Sequence, residues 1–265
     1  LLEQLLQTLI LGLIQGISEW LPISSTAHLK LAGEFLGLTV TPFLNIILHM
    51  GTLTVLLFFF RREIKSILVA LVHRDFKSED GMLIPRIVVA TIPTAIIALT
   101  YGTYLQDSFG TIPIIAATFL VGGTFVYSTK FAKETQETFP YKVALLMGMA
   151  QGFAIFPGLS RSGITISAAL LLGLKRPKAF KFSFLLSIPA IVGDFVVEAY
   201  SEWGMLSASG LAVFNVLAGV AAAAIVGYFA LKLLSRLVRG RKFYYFAFYT
   251  WALGTVLLIW TYLTA

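Results

Sequence analysis

The chain has 265 residues, 58% of them hydrophobic and only 12% charged, with a mean hydropathy of +0.87. Soluble domains carry about 25% charged residues, so this composition excludes that class and indicates a polytopic membrane protein, one integral domain over residues 1–265. The absence of cysteine removes disulfides, thiolate metal sites and a cysteine nucleophile, and the +7 net charge falls mainly between apolar spans, where it reads as topology and not as nucleic-acid binding.

Residues 2–38 predict a helical hairpin, with the polar turn Ser24-Ser25-Thr26 opening a short helix over 27–37. Six later segments reach the roughly 20 residues needed to cross a bilayer. They are 42–60, 84–104, 112–129, 180–200, 211–234 and 243–263. Their connections alternate in charge. Arg61, Arg62, Lys65, Arg74 and Lys77 follow the first span, whereas 105–111 offers only Asp107. Lys130, Lys133 and Lys142 come next, then Lys175, Arg176, Lys178 and Lys181. The 201–210 connection holds Glu202 and no cation, and Arg236, Arg239, Arg241 and Lys242 precede the last span. The positive-inside rule puts the basic connections in the cytoplasm and the other two outside. Apolar spans that run on to the C-terminus argue against reading the N-terminus as a cleaved signal.

Between the third and fourth spans lies a unit too short to cross. Residues 143–156 would make a helix of about 21 Å, and 164–174 a shorter one. Lys142 and Lys175 at its two ends both belong to cytoplasmic connections, so this unit dips in and returns. Span 42–60 ends inside at Arg61, so the 2–38 hairpin dips from the opposite face. The two hairpins are also copies. A constant offset of 136 residues relates Gln15 to Gln151, Ser24 to Ser160 and Leu36 to Leu172. The expected fold is all-α and polytopic, an inverted-topology repeat over approximately 1–129 and 137–263. Two re-entrant helical hairpins would meet near the midplane among six spanning helices.

Polar groups inside a membrane are expensive and mark function by default. Each hydroxyl at the hairpin tips has a plain reading as a helix N-cap. Two helix starts also present free N–H groups that suit an anion. Arg161 is the one arginine placed deep in the membrane region. It either pairs with Glu19 to hold the hairpins together or forks onto a phosphate, and the surrounding serines favour the phosphate. Glu19 shares a helical face with Gln15 and is either a structural ion-pair partner or the ligand of a divalent cation; spacing does not decide. His28, three residues past Ser25, is placed to be the base for a serine nucleophile or to attack phosphorus itself. His49 reads as an ordinary hydrogen-bonded residue, and His73 as surface. Gly122-Gly123, and the run from Gly219 through Ala221 and Ala224 to Gly227, read as close-packing faces. Asp194 and Glu198 read as a polar route to the outer face or a partly solvated helix end.

Together these residues resemble the undecaprenyl-diphosphate phosphatase family, the bacitracin-resistance type of membrane phosphatase. That family carries (E/Q)xxxE, SSTxH and PGxSRSxxT motifs. Here they stand as Gln15-xxx-Glu19, Ser24-Ser25-Thr26-Ala27-His28 and Pro157-Gly158-Leu159-Ser160-Arg161-Ser162-Gly163-Ile164-Thr165, and the resemblance covers essentially the whole chain. It implies hydrolysis of a long polyprenyl diphosphate at a site open to the outer face of the cell membrane, with Mg²⁺ or Ca²⁺ as cofactor and a homodimer as a candidate assembly. Glu19 would be the essential acid and metal ligand with Gln15 beside it, Ser25 the nucleophile, and His28 the base or alternative nucleophile. Arg161 would hold the diphosphate with Ser160, Ser162 and Thr165, and Ser24 and Thr26 would line the same site. Two positions depart from the common pattern: Gln15 where many members have Glu, and Ala27 where Gly is common. A lipid-phosphate flippase or anion transporter is the rival reading, since broken helices in a repeat suit transport as well. The Ser25/His28 pair separates them, because hydrolysis exploits it and transport does not require it.

Overall fold

The computed structural model describes residues 2–104, 110–136, 138–201 and 213–264. The first hairpin is α1 (Leu2–Trp20) and α2 (Ser25–Leu36). It leads into α3 (Pro42–Phe59), α4 (Arg61–Val72), α5 (Leu83–Tyr104) and α6 (Ile112–Ser128). The second hairpin is α7 (Tyr141–Phe153) and α8 (Arg161–Leu171), followed by α9 (Arg176–Ser201), α10 (Val213–Arg239) and α11 (Phe246–Thr264). Local chemistry sets several ends. Thr41 Oγ1 accepts from Leu44 N at 3.2 Å ahead of Pro42, Ser160 caps Gly163 N, and Gly37 closes α2 in the left-handed region.

Among the described residues five helices are long and apolar enough to cross a bilayer, over Leu83–Thr100, Ile112–Phe131, Arg176–Val197, Val213–Arg239 and Phe243–Thr264. The protein is therefore a multi-pass membrane protein. The other expected span is shorter among the described residues, an apolar helix over Leu44–Phe59. Val88, Ile92 and Ile96 on α5, and Ile225, Phe229 and Leu233 on α10, form exposed apolar stripes that only hydrocarbon suits. The basic connection after α3, expected as a loop, holds a helix: α4 is amphipathic, and its apolar positions pattern it. Asp107, Glu202 and the side chain of Glu198 lie outside the described residues, while Asp194 is exposed on α9.

The packing repeats with the sequence. α1 lies on α10, where Gly12 faces Gly219 and Gly16 faces Ala223. α7 lies on α5, where Gly148 faces Ala90 and Gly152 faces Ile97. Gly12 and Gly148 are again 136 residues apart. α6 and α11 form a third pair, with Gly123 against Thr250 and Trp251. The small-residue runs thus serve close helix approach, as their composition suggests. Around the inner ends Trp20, Phe60, Phe180 and Phe184 build an aromatic core, with Phe180 and Phe184 ring centroids 4.7 Å apart.

One position tests this packing directly. A Cβ on Gly148 would overlap the carbonyl oxygen of Ala90, and Thr94 Oγ1 donates to the Gly148 carbonyl at 2.8 Å. Gly148→Ala is expected to cost about 1–3 kcal/mol through forced separation of α5 and α7. Gly193→Ala, where the added carbon meets nothing within 4 Å, serves as the control. Thermal melts of both variants in one detergent check it.

Candidate active site

The tips of the two hairpins are joined to each other. Gly158 N donates to Ser24 Oγ at 3.1 Å, Ser160 Oγ donates to the Leu21 carbonyl at 3.3 Å, and Arg161 Nη2 donates to Glu19 Oε1 at 2.9 Å. The second tip needs glycine at 158, whose φ is +96° and whose missing Cβ leaves room for Thr118. At the first tip Ser24 itself takes φ 68°, a left-handed conformation that costs a non-glycine residue energy. That turn is held by its cross-hairpin bond to Gly158.

α2 begins at Ser25 and α8 at Arg161, two to three residues earlier than the sequence suggested. Ser25 and Arg161 are therefore first-turn residues of two helices whose starts meet, so their free N–H groups and positive ends share one polar centre. Ser160 is the N-cap of α8 and shares a hydrogen bond with Ser162 at 3.1 Å. Thr165 donates to the Arg161 carbonyl at 2.7 Å and contacts Ser183 through a hydroxyl–hydroxyl bond.

Glu19 is the hub, with its side chain only 2% exposed. Oε1 takes the guanidinium of Arg161; Oε2 accepts from Ser25 Oγ at 2.7 Å and from Gln15 Nε2 at 3.1 Å. His49 Nε2 stands 3.4 Å from the same Oε2. The site retains unused capacity. Arg161 Nη1 and Gln15 Oε1 are buried without a hydrogen-bond partner among the described residues. Beside Arg161 is a cavity of about 10 Å³, lined by Glu19, Trp20, Arg161, Ser162, Thr165, Ser183, Phe184 and Ser187.

His28 stands apart from Ser25. Its Nδ1 is 2.8 Å from the Ser24 carbonyl, which can only accept, so Nδ1 carries the proton. Nε2 then accepts the Tyr249 hydroxyl at 2.7 Å, with the two rings stacked at 16°. The Ser25 hydroxyl points to Glu19 and not to His28. Thr26 is exposed and does not join the network.

Nine of the ten residues singled out from the motifs thus line one buried centre or its edge. Three kinds of neighbour are not expected from the motifs. His49 reads as an ordinary span residue, and it does hydrogen-bond the Asn45 carbonyl at 2.8 Å, but its other nitrogen faces Glu19. Its signal was available: Asn45, His49 and Thr52 recur at helical spacing in an otherwise apolar stretch. Ser183 and Ser187, one turn apart on α9, carried a similar signal. Tyr249, in an aromatic-rich segment, carried none.

Fold and site define a helical multi-pass membrane protein with a carboxylate, guanidinium and hydroxyl centre at the junction of two helical hairpins. The profile of the family described as bacitracin resistance protein BacA matches residues 8–256, and the chain belongs to that family. A protein of Carboxydothermus hydrogenoformans named undecaprenyl-diphosphatase is 38% identical over 258 residues, covering 96% of each chain. One of the same name from Treponema denticola is 39% identical over 265 residues, again 96% of each. A third, from Korarchaeum cryptofilum, is 35% identical over 96% of this chain and 98% of its own.

Proposed function

We propose that this protein hydrolyses undecaprenyl diphosphate to the monophosphate and inorganic phosphate, recycling a lipid carrier for envelope glycan synthesis at the plasma membrane. Arg161 carries the reading: one terminal nitrogen holds Glu19, while the other is buried, unpartnered and set between two helix starts. A phosphate supplies the acceptors that this arrangement lacks, and a guanidinium binds it in a forked geometry. The relatives' shared name points the same way.

The chemistry follows from the Ser25–Glu19 bond of 2.7 Å. Ser25 Oγ attacks the terminal phosphorus, its proton passes to Glu19, and the bond to the bridging oxygen breaks to release polyprenyl monophosphate. Water then attacks the phosphoserine. Glu19 returns its proton to Ser25 Oγ, and inorganic phosphate leaves with both protons of that water. Arg161 and the helix starts stabilise the equatorial charge in both steps. This geometry favours Ser25 with Glu19 over Ser25 with His28.

A divalent cation fits the donors present. Glu19, and Gln15 through its unpartnered Oε1, would hold it, an all-oxygen set of the kind Mg²⁺ and Ca²⁺ prefer. No three of His, Asp and Glu cluster among the described residues, so substrate phosphate would complete the ligands. When bound, such an ion neutralises phosphate charge.

The inverted repeat, with re-entrant hairpins and an outward-facing site, belongs to the same proposal. The matched pairs α1–α10 and α7–α5, the constant offset and the alternating basic connections support it. A flippase or anion transporter is not favoured, because a serine donating to a buried carboxylate has no use in transport.

Purified protein in detergent, given undecaprenyl diphosphate with and without chelator, tests the function. Phosphate release that is lost in Ser25→Ala supports it; no release by folded wild-type protein overturns it. Tyr249→Phe keeps the stacking on His28 and removes one hydrogen bond outside the Ser25–Glu19 pair, so kcat/KM is expected to stay within about threefold of wild type. A larger fall would return His28 to the chemistry.

A further inference from the structure

We propose that the open face of α4 binds an anionic phospholipid. A groove of about 520 Å³ runs from the last turn of α3 along α4. Its apolar floor includes Leu57, Leu68 and Val72, and Arg61, Lys65 and His73 supply its polar groups. Arg61, Lys65, Leu68 and Val72 recur at i, i+4, i+7 and i+11, so they share one helical face. Val72 is 79% exposed.

The groove is preformed. The other side of α4 buries Ala70 and sets Ile67 against the main core, while Ile64 packs on that core and also lines the groove. Beyond it the chain turns through Asp75 N to the Ala70 carbonyl at 2.8 Å, and Lys181 pairs with Asp80 at 2.5 Å. Arg61 is itself anchored, with Nη1 donating to the Phe58 carbonyl at 2.9 Å and the guanidinium over the Phe58 ring. Its remaining donors are left for a ligand.

Charge selects the occupant. No acid lines the groove, and residues 61–77 carry five Lys and Arg against two acids. An apolar floor with cations at one end matches an acyl chain below a phosphate, and the position at the end of an apolar helix puts it at headgroup depth. The groove shares no residue with the Glu19 centre. Leu57 lies about 12 Å along α3 from His49, at 1.5 Å per residue. An acidic protein partner would find exposed leucine and valine where it needs polar complement.

The test is native mass spectrometry of the full chain in an uncharged detergent, titrated with phosphatidylglycerol and with phosphatidylcholine. Lys65→Gln, Lys65→Glu and the off-groove control Lys77→Glu are compared with wild type. Near a membrane surface each cation is worth a factor of about five in affinity. Wild type and Lys77→Glu are expected to prefer phosphatidylglycerol, and the preference to fall about fivefold in Lys65→Gln and further in Lys65→Glu. Because Lys65 is exposed, both variants should melt as wild type does. Three results overturn the proposal. One is equal binding of the two lipids by wild type. Another is a preference that survives both Lys65 changes. The third is displacement of bound phosphatidylglycerol by undecaprenyl monophosphate at lower concentration than by phosphatidylglycerol itself, which would give the groove to the carrier lipid.

Discussion

Arg161→Lys is expected to lower kcat/KM for the diphosphate by about 100-fold or more, although the charge is retained. Arg161 has two tasks that need two separate nitrogens. Nη2 holds Glu19 at 2.9 Å, and the buried Nη1 is free for phosphate. A lysine ammonium is a single point charge that cannot hold both partners in a fixed fork. Bonded to Glu19, it leaves the phosphate unstabilised; turned to the phosphate, it leaves a buried carboxylate unpaired. Loss of one preorganised donor to developing charge typically costs about 10²- to 10³-fold. Both kcat and KM should suffer, because the same guanidinium binds ground state and transition state. Phosphate-release kinetics on folded Arg161→Lys and Arg161→Ala check this, and near-normal turnover by the lysine variant would remove Arg161 from the phosphate.

Much of this centre was legible in the chain because membranes penalise polar groups. Glu19, Ser25 and Arg161 stand out of an apolar background, and the duplication of the stretches that hold them, Gln15 with Gln151 and Ser24 with Ser160 at one offset, forecasts that the two tips meet. Of the six spans legible from hydropathy, five stand as long apolar helices among the described residues, and the small-residue faces were legible at Gly122-Gly123 and Gly219 to Gly227, but not the helices they meet. What escaped depends on partners far apart in sequence. The Ser25 hydroxyl can point to Glu19 or to His28, six residues back or three ahead, and the decision comes from Tyr249, which takes the free nitrogen of His28. His49 does not stand out, because one histidine on an apolar helix is ordinarily a packed residue. Only the approach of α3 to α1 shows its Nε2 facing the carboxylate. Helix α4 was hidden by its charge, since five cations read as a loop while every third or fourth position remained apolar.

Glu19→Gln is expected to abolish turnover, with a loss of about 10³-fold or more, while keeping the shape of the side chain. The carboxylate accepts from Arg161, Ser25 and Gln15 at once and faces His49 as well. A glutamine has a single acceptor oxygen and turns the other end into a donor. Whichever way it is flipped, an N–H₂ meets either the guanidinium or the Ser25 hydroxyl, and Ser25 loses the group that takes its proton. Stability should fall less than activity. The Arg161 side chain is 26% exposed although its Nη1 is buried, so water relieves part of the unpaired charge. About 1–3 kcal/mol is the expected cost, the range for a buried group left without its partner. Glu19→Gln combined with Arg161→Gln distinguishes a structural pair from a catalytic one. If the pair mainly held the hairpins together, the double variant would recover stability relative to the sum of the singles and regain some turnover. With the roles assigned above, it recovers stability alone. Turnover stays at background, because the base for Ser25 and the donor for phosphate are both gone.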